Sequence, residues 1–306
     1  MSGRVLLTGA SGFIGRAAIA PLLRRGFEVH ALARHRIDAP AVVQWHLLDL
    51  LNSGEELDAL VAIIQPDHLL HFAWYAEPGM YWQAAENVDW LRVSLRLLQA
   101  FHAVGGRRVA IAGTCAEYDW TQGTPLHEAS PRKPATLYGV CKNALQDVFA
   151  AYSARHGLSG VWGRIFFPYG PYERPVRLIP EVICSLLQGR VARCTSGEHI
   201  RDFIHVDDAA EAFVALLASD VRGAVNVGSG EGVAVKDVAL KIAQRLGRPD
   251  LLQLGVVPLR RHEPPSLVAD IRRLTGEVGF VPRSIDETLD SVIASWRGQL
   301  DCRQVR

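Results

Sequence analysis

The chain has 306 residues, 33 basic and 32 acidic side chains, a formal charge of +1 and an apolar share of 49%. Such a chain can bury one large α/β core or two closely joined ones, and a disordered chain is excluded. The near-neutral balance gives no reason to expect nucleic acid or a membrane surface as partner, and no apolar run reaches the ~20 residues that cross a bilayer.

Five cysteines, Cys115, Cys141, Cys184, Cys194 and Cys302, are odd in number and never spaced Cys-x-x-Cys. The pattern speaks against a disulfide framework and a zinc site, so no metal is expected and a reducing cytoplasm is the expected location. The first residues carry Arg4 and lack the apolar core of an export signal.

Arg4–Thr8 reads as a buried strand and runs into Gly9-Ala-Ser11-Gly12-Phe13-Ile14-Gly15, then a helix to Arg25 that stops at Gly26. Strand, glycine turn and helix in that order suit a dinucleotide. The glycines allow a tight turn, close backbone approach to a pyrophosphate, and helix–strand packing, while backbone N–H groups at the helix start hold the anion. A second strand, 27–33, ends on Ala33 and is followed by Arg34, His35 and Arg36 rather than an acid. Arg34 matches a 2′-phosphate, so NADP(H) is favoured over NAD(H), with a solvated basic turn as the plainer alternative.

Strand three spans 45–50, with Asp49 a candidate for the adenine edge and Leu50 beside it. A helix covers 54–64, and strand four covers 68–73, ending on Ala73 near the cofactor. His71 inside it reads as a core residue. Trp74, Tyr75, Tyr81 and Trp82 follow, a sugar-stacking wall or plain packing. The helix 86–104 is apolar on more than one face, so one face covers the sheet while the other meets a second subunit or is buried in the monomer; a homodimer is expected.

Strand five, 107–112, delivers Thr114 to the carboxyl end of the sheet, where ligands bind in such folds. Tyr138 and Lys142 lie four apart on one helical face, so an ammonium can sit near the phenol and draw its pKa toward neutrality. Strand six, 160–166, is followed by an irregular region punctuated by Pro168, Pro171, Pro175 and Pro180. Helices at 207–218, 235–246 and 285–297 and a strand at 224–228 complete the reading. The expected fold is α/β: a Rossmann-type doubly wound parallel sheet with a smaller mixed α/β C-terminal portion. Residues 1–168 and 202–230 are expected to bind the dinucleotide, and 169–201 and 231–306 the substrate.

On Gly9-x-x-Gly12-x-x-Gly15, Thr114, Tyr138-x-x-x-Lys142, Arg164-Ile-Phe-Phe-Pro-Tyr-Gly-Pro171, Arg201-Asp-Phe-Ile-His-Val-Asp-Asp208 and Arg260-x-x-Glu263 before Ala269-Asp270, the chain resembles the extended short-chain dehydrogenase/reductases. The likeness is to the nucleotide-sugar branch of the NAD-dependent epimerase/dehydratase family and covers almost the whole chain. It implies that Tyr138 is the acid/base, that Lys142 also bonds the nicotinamide ribose, and that Thr114 holds the substrate oxygen. It further implies that Phe166 borders the cofactor, that Arg201 and Arg260 meet the substrate's diphosphate, and that Cys115, Phe167 and Arg177 line the substrate site.

Two departures narrow the reaction. Cys115 and Ala116 stand where the family's dehydratases carry an acidic pair, and Ala116 stands where 3,5-epimerising reductases carry a cysteine. Neither reaction is therefore supported. Phe167 replaces an asparagine common among relatives, which favours a deoxygenated sugar. The leading expectation is an NADPH-dependent ketoreductase of a nucleotide-linked 4-keto-6-deoxyhexose. A nucleotide-sugar 4-epimerase with bound NAD is the alternative, and a non-catalytic NADP-binding sensor ranks below both.

Overall fold

The computed structural model describes residues 3–258 and 263–304, the last four by their backbone alone. In chain order the elements are β1 (Arg4–Thr8), α1 (Phe13–Arg24), β2 (Glu28–Ala33), β3 (Gln44–Leu47), α2 (Gly54–Ile64), β4 (His68–His71), α3 (Glu86–Ala103), β5 (Arg108–Thr114), α4 (Leu137–His156), β6 (Ser159–Ile165) and β7 (Phe167–Tyr169). The rest are α5 (Leu178–Leu187), β8 (Ala192–Arg193), β9 (Ile200–His205), α6 (Val206–Ala218), β10 (Gly223–Val227), β11 (Gly232–Ala234), α7 (Val235–Arg245), β12 (Leu252–Gln253), β13 (Ser266–Leu267), α8 (Arg272–Gly276) and α9 (Ile285–Gln304).

Near-continuous apolar runs such as Val5-Leu6-Leu7 and Val109-Ala110-Ile111 are what a strand buried on both faces requires. They form a seven-stranded sheet in the order β10-β6-β5-β4-β1-β2-β3, parallel at every pairing. Strand order reverses between β1 and β4, and a crevice for a ligand opens at the carboxyl ends of such strands. Val5, Leu7, Val29 and Ala31 face α1 and α6 through Leu22 and Phe213. Leu6, Leu32, Leu69 and Ile111 face α2, α3 and α4 through Leu57, Leu97 and Leu145. The doubly wound expectation holds.

The C-terminal portion has its own core, in which Ile183, Ile242, Leu289 and Trp296 join α5, α7 and α9. Its small sheet is built on β9, which pairs with β11, β13 and β7. The proline-marked region thus contains short strands that the sequence reading leaves irregular. β7 includes Pro168 and pairs only with β9, so the missing N–H faces no second strand.

Boundaries moved where a turn intervened. Strand three ends at Leu47, and the Asp49 carboxylate accepts the Leu51 N–H at 3.3 Å and the Asn52 amide at 2.7 Å, closing a turn of its own. Strand five instead continues to Thr114, and the last helix runs on to Gln304. No helix among the described residues is long and apolar enough to cross a membrane.

Candidate active site

β5 is buried along its whole length and ends on Thr114. A single turn of 3-10 helix, Cys115–Glu117, follows, capped reciprocally: Thr114 Oγ1 accepts the Ala116 N–H at 3.2 Å, and Glu117 Oε1 accepts the Thr114 N–H at 2.8 Å. Glu117 is fully buried. Its other oxygen lies 2.7 Å from Arg164 Nε, and the Trp162 indole N–H donates to the same carboxylate at 3.0 Å. Arg164 also donates to the Tyr118 hydroxyl, the Glu128 carbonyl and Gln146. The one acid beside Thr114 is thus consumed in holding the turn.

α4 starts at Leu137, with Thr136 Oγ1 accepting the Gly139 N–H at 3.1 Å. A Cβ on Gly139 would lie 2.5 Å from the Ala116 carbonyl oxygen, so only glycine lets the first turn of α4 rest on the Thr114 turn. This contact brings Tyr138 beside Thr114. Tyr81, Trp82 and Trp74 surround the phenol, with ring centroids 4.9, 5.9 and 6.4 Å away, all edge-on. The aromatic segment after β4 therefore lies against the candidate acid/base.

Lys142 is buried, donates to the Ala112 carbonyl at 2.8 Å, and places its ammonium 3.8 Å from the centre of the Trp74 ring. Burial lowers its pKa to about 7, against the opposing charge of Glu117. The sequence expectation of a phenol drawn toward neutrality is corrected here. Burial pushes Tyr138 well above its usual value, Tyr81, Cys115 and Glu117 add to the rise, and the Thr114 side chain opposes it. Burial is the main reason, and the Lys142 ammonium is directed at the Ala112 carbonyl and the Trp74 ring.

His71 hydrogen-bonds Thr8 Oγ1 at 2.6 Å and Ser94 Oγ at 2.8 Å, and burial, reinforced by the Lys142 charge, lowers its pKa to about 3. It is the neutral core residue that the sequence suggested. Burial pushes the Cys115 thiol up to about 12 despite the charge of nearby Arg201, so it is no nucleophile.

The glycine turn fits a dinucleotide. A Cβ on Gly15 would lie 2.1 Å from the Gly9 carbonyl oxygen, so helix and strand meet without room for a side chain. α1 begins at Phe13 after Gly12 with no side-chain cap, leaving its first N–H groups for an anion. Ser11, Phe13 and Ile14 are partly buried around this turn, whereas Leu50, Ala73 and Phe166 are buried. Arg34, His35 and Arg36 are exposed beyond β2.

Arg201 is buried, within 3.8 Å of Glu263, and lies over the Phe167 ring at 5.4 Å. Together with Cys115 these residues flank the Thr114 side of the site. Arg177 is exposed at the start of α5, 4.0 Å from Glu173. Arg260 lies outside the described residues.

The model of the NAD dependent epimerase/dehydratase family matches residues 5–228. The chain belongs to this family. A UDP-glucose 4-epimerase of Streptomyces lividans is 28% identical over 327 residues, covering 97% of this chain and 96% of that one. MoeE5, solved in complex with NAD and UDP-glucuronic acid or UDP-glucose, is 30% identical with a TM-score of 0.84, covering 97% of this chain and all of that one. A UDP-glucose 4-epimerase of Thermus thermophilus, solved with NAD, is 26% identical with a TM-score of 0.86, covering 96% of this chain and 99% of that one.

The residues that hold Thr114, Tyr138 and Trp74 in place were largely missed from sequence. The signal for Glu117 was present as Thr114-x-x-Glu117, the spacing of a capping box. Arg164 was noticed only as part of a motif. Asn87, buried on α3, accepts the Trp74 indole N–H at 2.8 Å and donates to the carbonyls of Tyr81 and Ala84. Nothing in its local pattern marks it.

Proposed function

We propose that this enzyme is a nucleotide-sugar 4-epimerase working with NAD. The observation that carries the reading is the convergence of Thr114, Tyr138 and Lys142 at the carboxyl end of the sheet, with Glu117 locked away from any proton transfer. A sugar hydroxyl there meets one phenol and one threonine hydroxyl, which suffices to move a single proton reversibly. Water elimination would require a further acid.

This reverses the order of the two readings drawn from sequence. Ketoreduction was favoured by the NADP argument, and that argument rests on Ala33 at the end of β2 and the exposed Arg34, His35 and Arg36 after it. The relatives described above are 4-epimerases or are solved with NAD, which supports the epimerase and gives the NADP preference no support.

When bound, NAD supplies hydride acceptance and return at the sugar carbon. The protein's own part would be to hold the sugar oxygen with the Thr114 hydroxyl and to carry the hydroxyl proton on Tyr138 Oη, which takes it only as a phenolate, a form that burial opposes and Thr114 favours, and gives it back after the sugar has turned. The Tyr81, Trp82 and Trp74 rings exclude water around the phenol. Arg201 is assigned to the substrate's diphosphate, because a buried guanidinium beside an apolar Phe167 suits a bidentate anion. The seven-stranded sheet is assigned to the dinucleotide, and residues 169–201 and 231–306 to the substrate, with β9 joining the two.

The second-subunit reading of α3 is kept as well. Val88 on α3 and Val140 and Val148 on α4 are exposed, and the two helices pack side by side, a surface suited to a second copy. Light scattering on the purified protein decides it.

The test of function is proton NMR of UDP-glucose incubated with the purified protein and NAD. Appearance of a second anomeric signal, that of the C4 epimer, supports the proposal. No product across a panel of nucleotide hexoses, with NADPH consumed on a 4-keto sugar, returns the reading to a reductase; tight cofactor binding with no turnover on either returns it to a sensor.

A further inference from the structure

Trp74 stands at the meeting point of three groups. Its indole face carries the Lys142 ammonium at 3.8 Å, its edge-on neighbour is Tyr138 at 6.4 Å, and its N–H is fixed by Asn87 at 2.8 Å. Asn87 is fully buried and uses its remaining donors on the Tyr81 carbonyl at 2.7 Å and the Ala84 carbonyl at 2.9 Å. One amide therefore sets both the indole under the lysine and the loop that carries Tyr81 and Trp82 against the phenol.

We propose that Trp74 is a positioning residue for Lys142, an aromatic platform clamped by Asn87 that holds the ammonium beside the Ala112 carbonyl and couples its place to the rings around Tyr138. A lysine has four rotatable stem bonds and three donors, and the Ala112 carbonyl satisfies one donor only. The indole face supplies a second, non-ionic partner for the charge, which attracts a desolvated cation without neutralising it. An acid in the same place would hold the ammonium permanently charged and compete with the phenol for protons. The other titratable groups that act on Lys142 or feel its charge are Glu117, which favours its charged form, and His71, whose own protonation the lysine opposes.

The inference rests on the reading that Lys142 serves Tyr138, and its test separates the two. Lys142 is one of four lysines, with Lys133, Lys236 and Lys241, so lysine labelled with carbon-13 at Cε gives few signals, and Lys142→Arg identifies the relevant one. Trp74→Leu keeps apolar cover and removes the π face. It should move the Lys142 titration about one pH unit lower, and Trp74→Phe should recover at least half of that shift. The pH profile of kcat/KM should move in the same order.

A Trp74→Leu protein whose Lys142 titrates as in wild type overturns the proposal. Should that variant fail to fold, Asn87→Ser, which leaves the indole but unlocks it, decides in the same way by shift or no shift. A wild-type protein inactive on every sugar tested removes the proposed function, while the lysine titration still decides the role of Trp74.

Discussion

Arg164 Nε sits 2.7 Å from the Glu117 carboxylate with neither side chain reaching solvent, and that carboxylate also takes the Thr114 N–H at 2.8 Å. The pair is thus a support for the candidate catalytic hydroxyl rather than a free acid. Replacing Arg164 by Met strands a buried carboxylate, which should cost roughly 3–5 kcal/mol of stability. Adding Glu117→Gln to Arg164→Met should restore part of that loss, because the uncompensated charge is gone. Urea unfolding of the single and double variants measures it; equal midpoints for Arg164→Met and wild type would contradict the buried network.

Tyr138→Phe removes the phenol hydroxyl beside Thr114 and keeps the ring that packs against Tyr81 and Trp82. Turnover should fall by about 10²–10⁴-fold, with little change in melting temperature. Thr114→Val should lose activity as well, and it also loses the Ala116 cap at 3.2 Å, so a small drop in stability accompanies it. Turnover by Tyr138→Phe at the wild-type rate would place the proton transfer elsewhere.

Two buried groups give pH dependences of opposite sign. His71 has its pKa lowered to about 3 from an ordinary 6.5, chiefly by burial. Between those values the unfolded chain binds a proton that the native protein refuses, so stability rises with pH and is lost progressively as pH falls from about 6.5 toward 3. Glu173 has its pKa raised by burial from 4.5 to about 8, against the Arg177 charge. There the native protein keeps a proton that the unfolded chain releases, so stability is present below about pH 4.5 and is lost as pH rises toward 8. Glu173→Gln should therefore gain on wild type as pH rises from 5 to 8, read as a growing difference in urea midpoint. A constant difference over that range would mean that the carboxyl is ionised in the native protein.

The parts legible in the sequence were those in which one local pattern fixes one local structure. The glycine turn between β1 and α1, the buried strands and the Tyr138–Lys142 spacing each follow from neighbours a few residues away. Two kinds of feature escaped. Short strands such as β7 and β13 exist only because β9 lies beside them, and no local periodicity encodes such pairing. The direction of the Tyr138 shift likewise depends on its burial beside Tyr81, Trp82 and Trp74, rings distant in sequence that no local pattern places there. Glu117 falls between the two, since its capping spacing was readable but its partner Arg164 lies 47 positions on.

The glycine turn offers the sharpest test of the dinucleotide site. A Cβ on Gly15 would lie 2.1 Å from the Gly9 oxygen, 2.8 Å from the Gly9 carbonyl carbon and 3.0 Å from the Ala10 Cα. All three are backbone atoms of the turn, so no side chain can swing aside and the turn itself must open. Gly15→Ala should therefore lower NAD affinity by at least about tenfold, because the N–H groups at the start of α1 lose their aim. Gly26→Ala is the control: its φ is +77°, and a Cβ there meets nothing within 4 Å. That variant should lose about 1–2 kcal/mol to left-handed backbone strain while its NAD affinity stays as in wild type. Calorimetric titration with NAD gives the affinities and urea unfolding the stabilities; equal loss of affinity in both variants would trace the effect to general destabilisation instead of the turn.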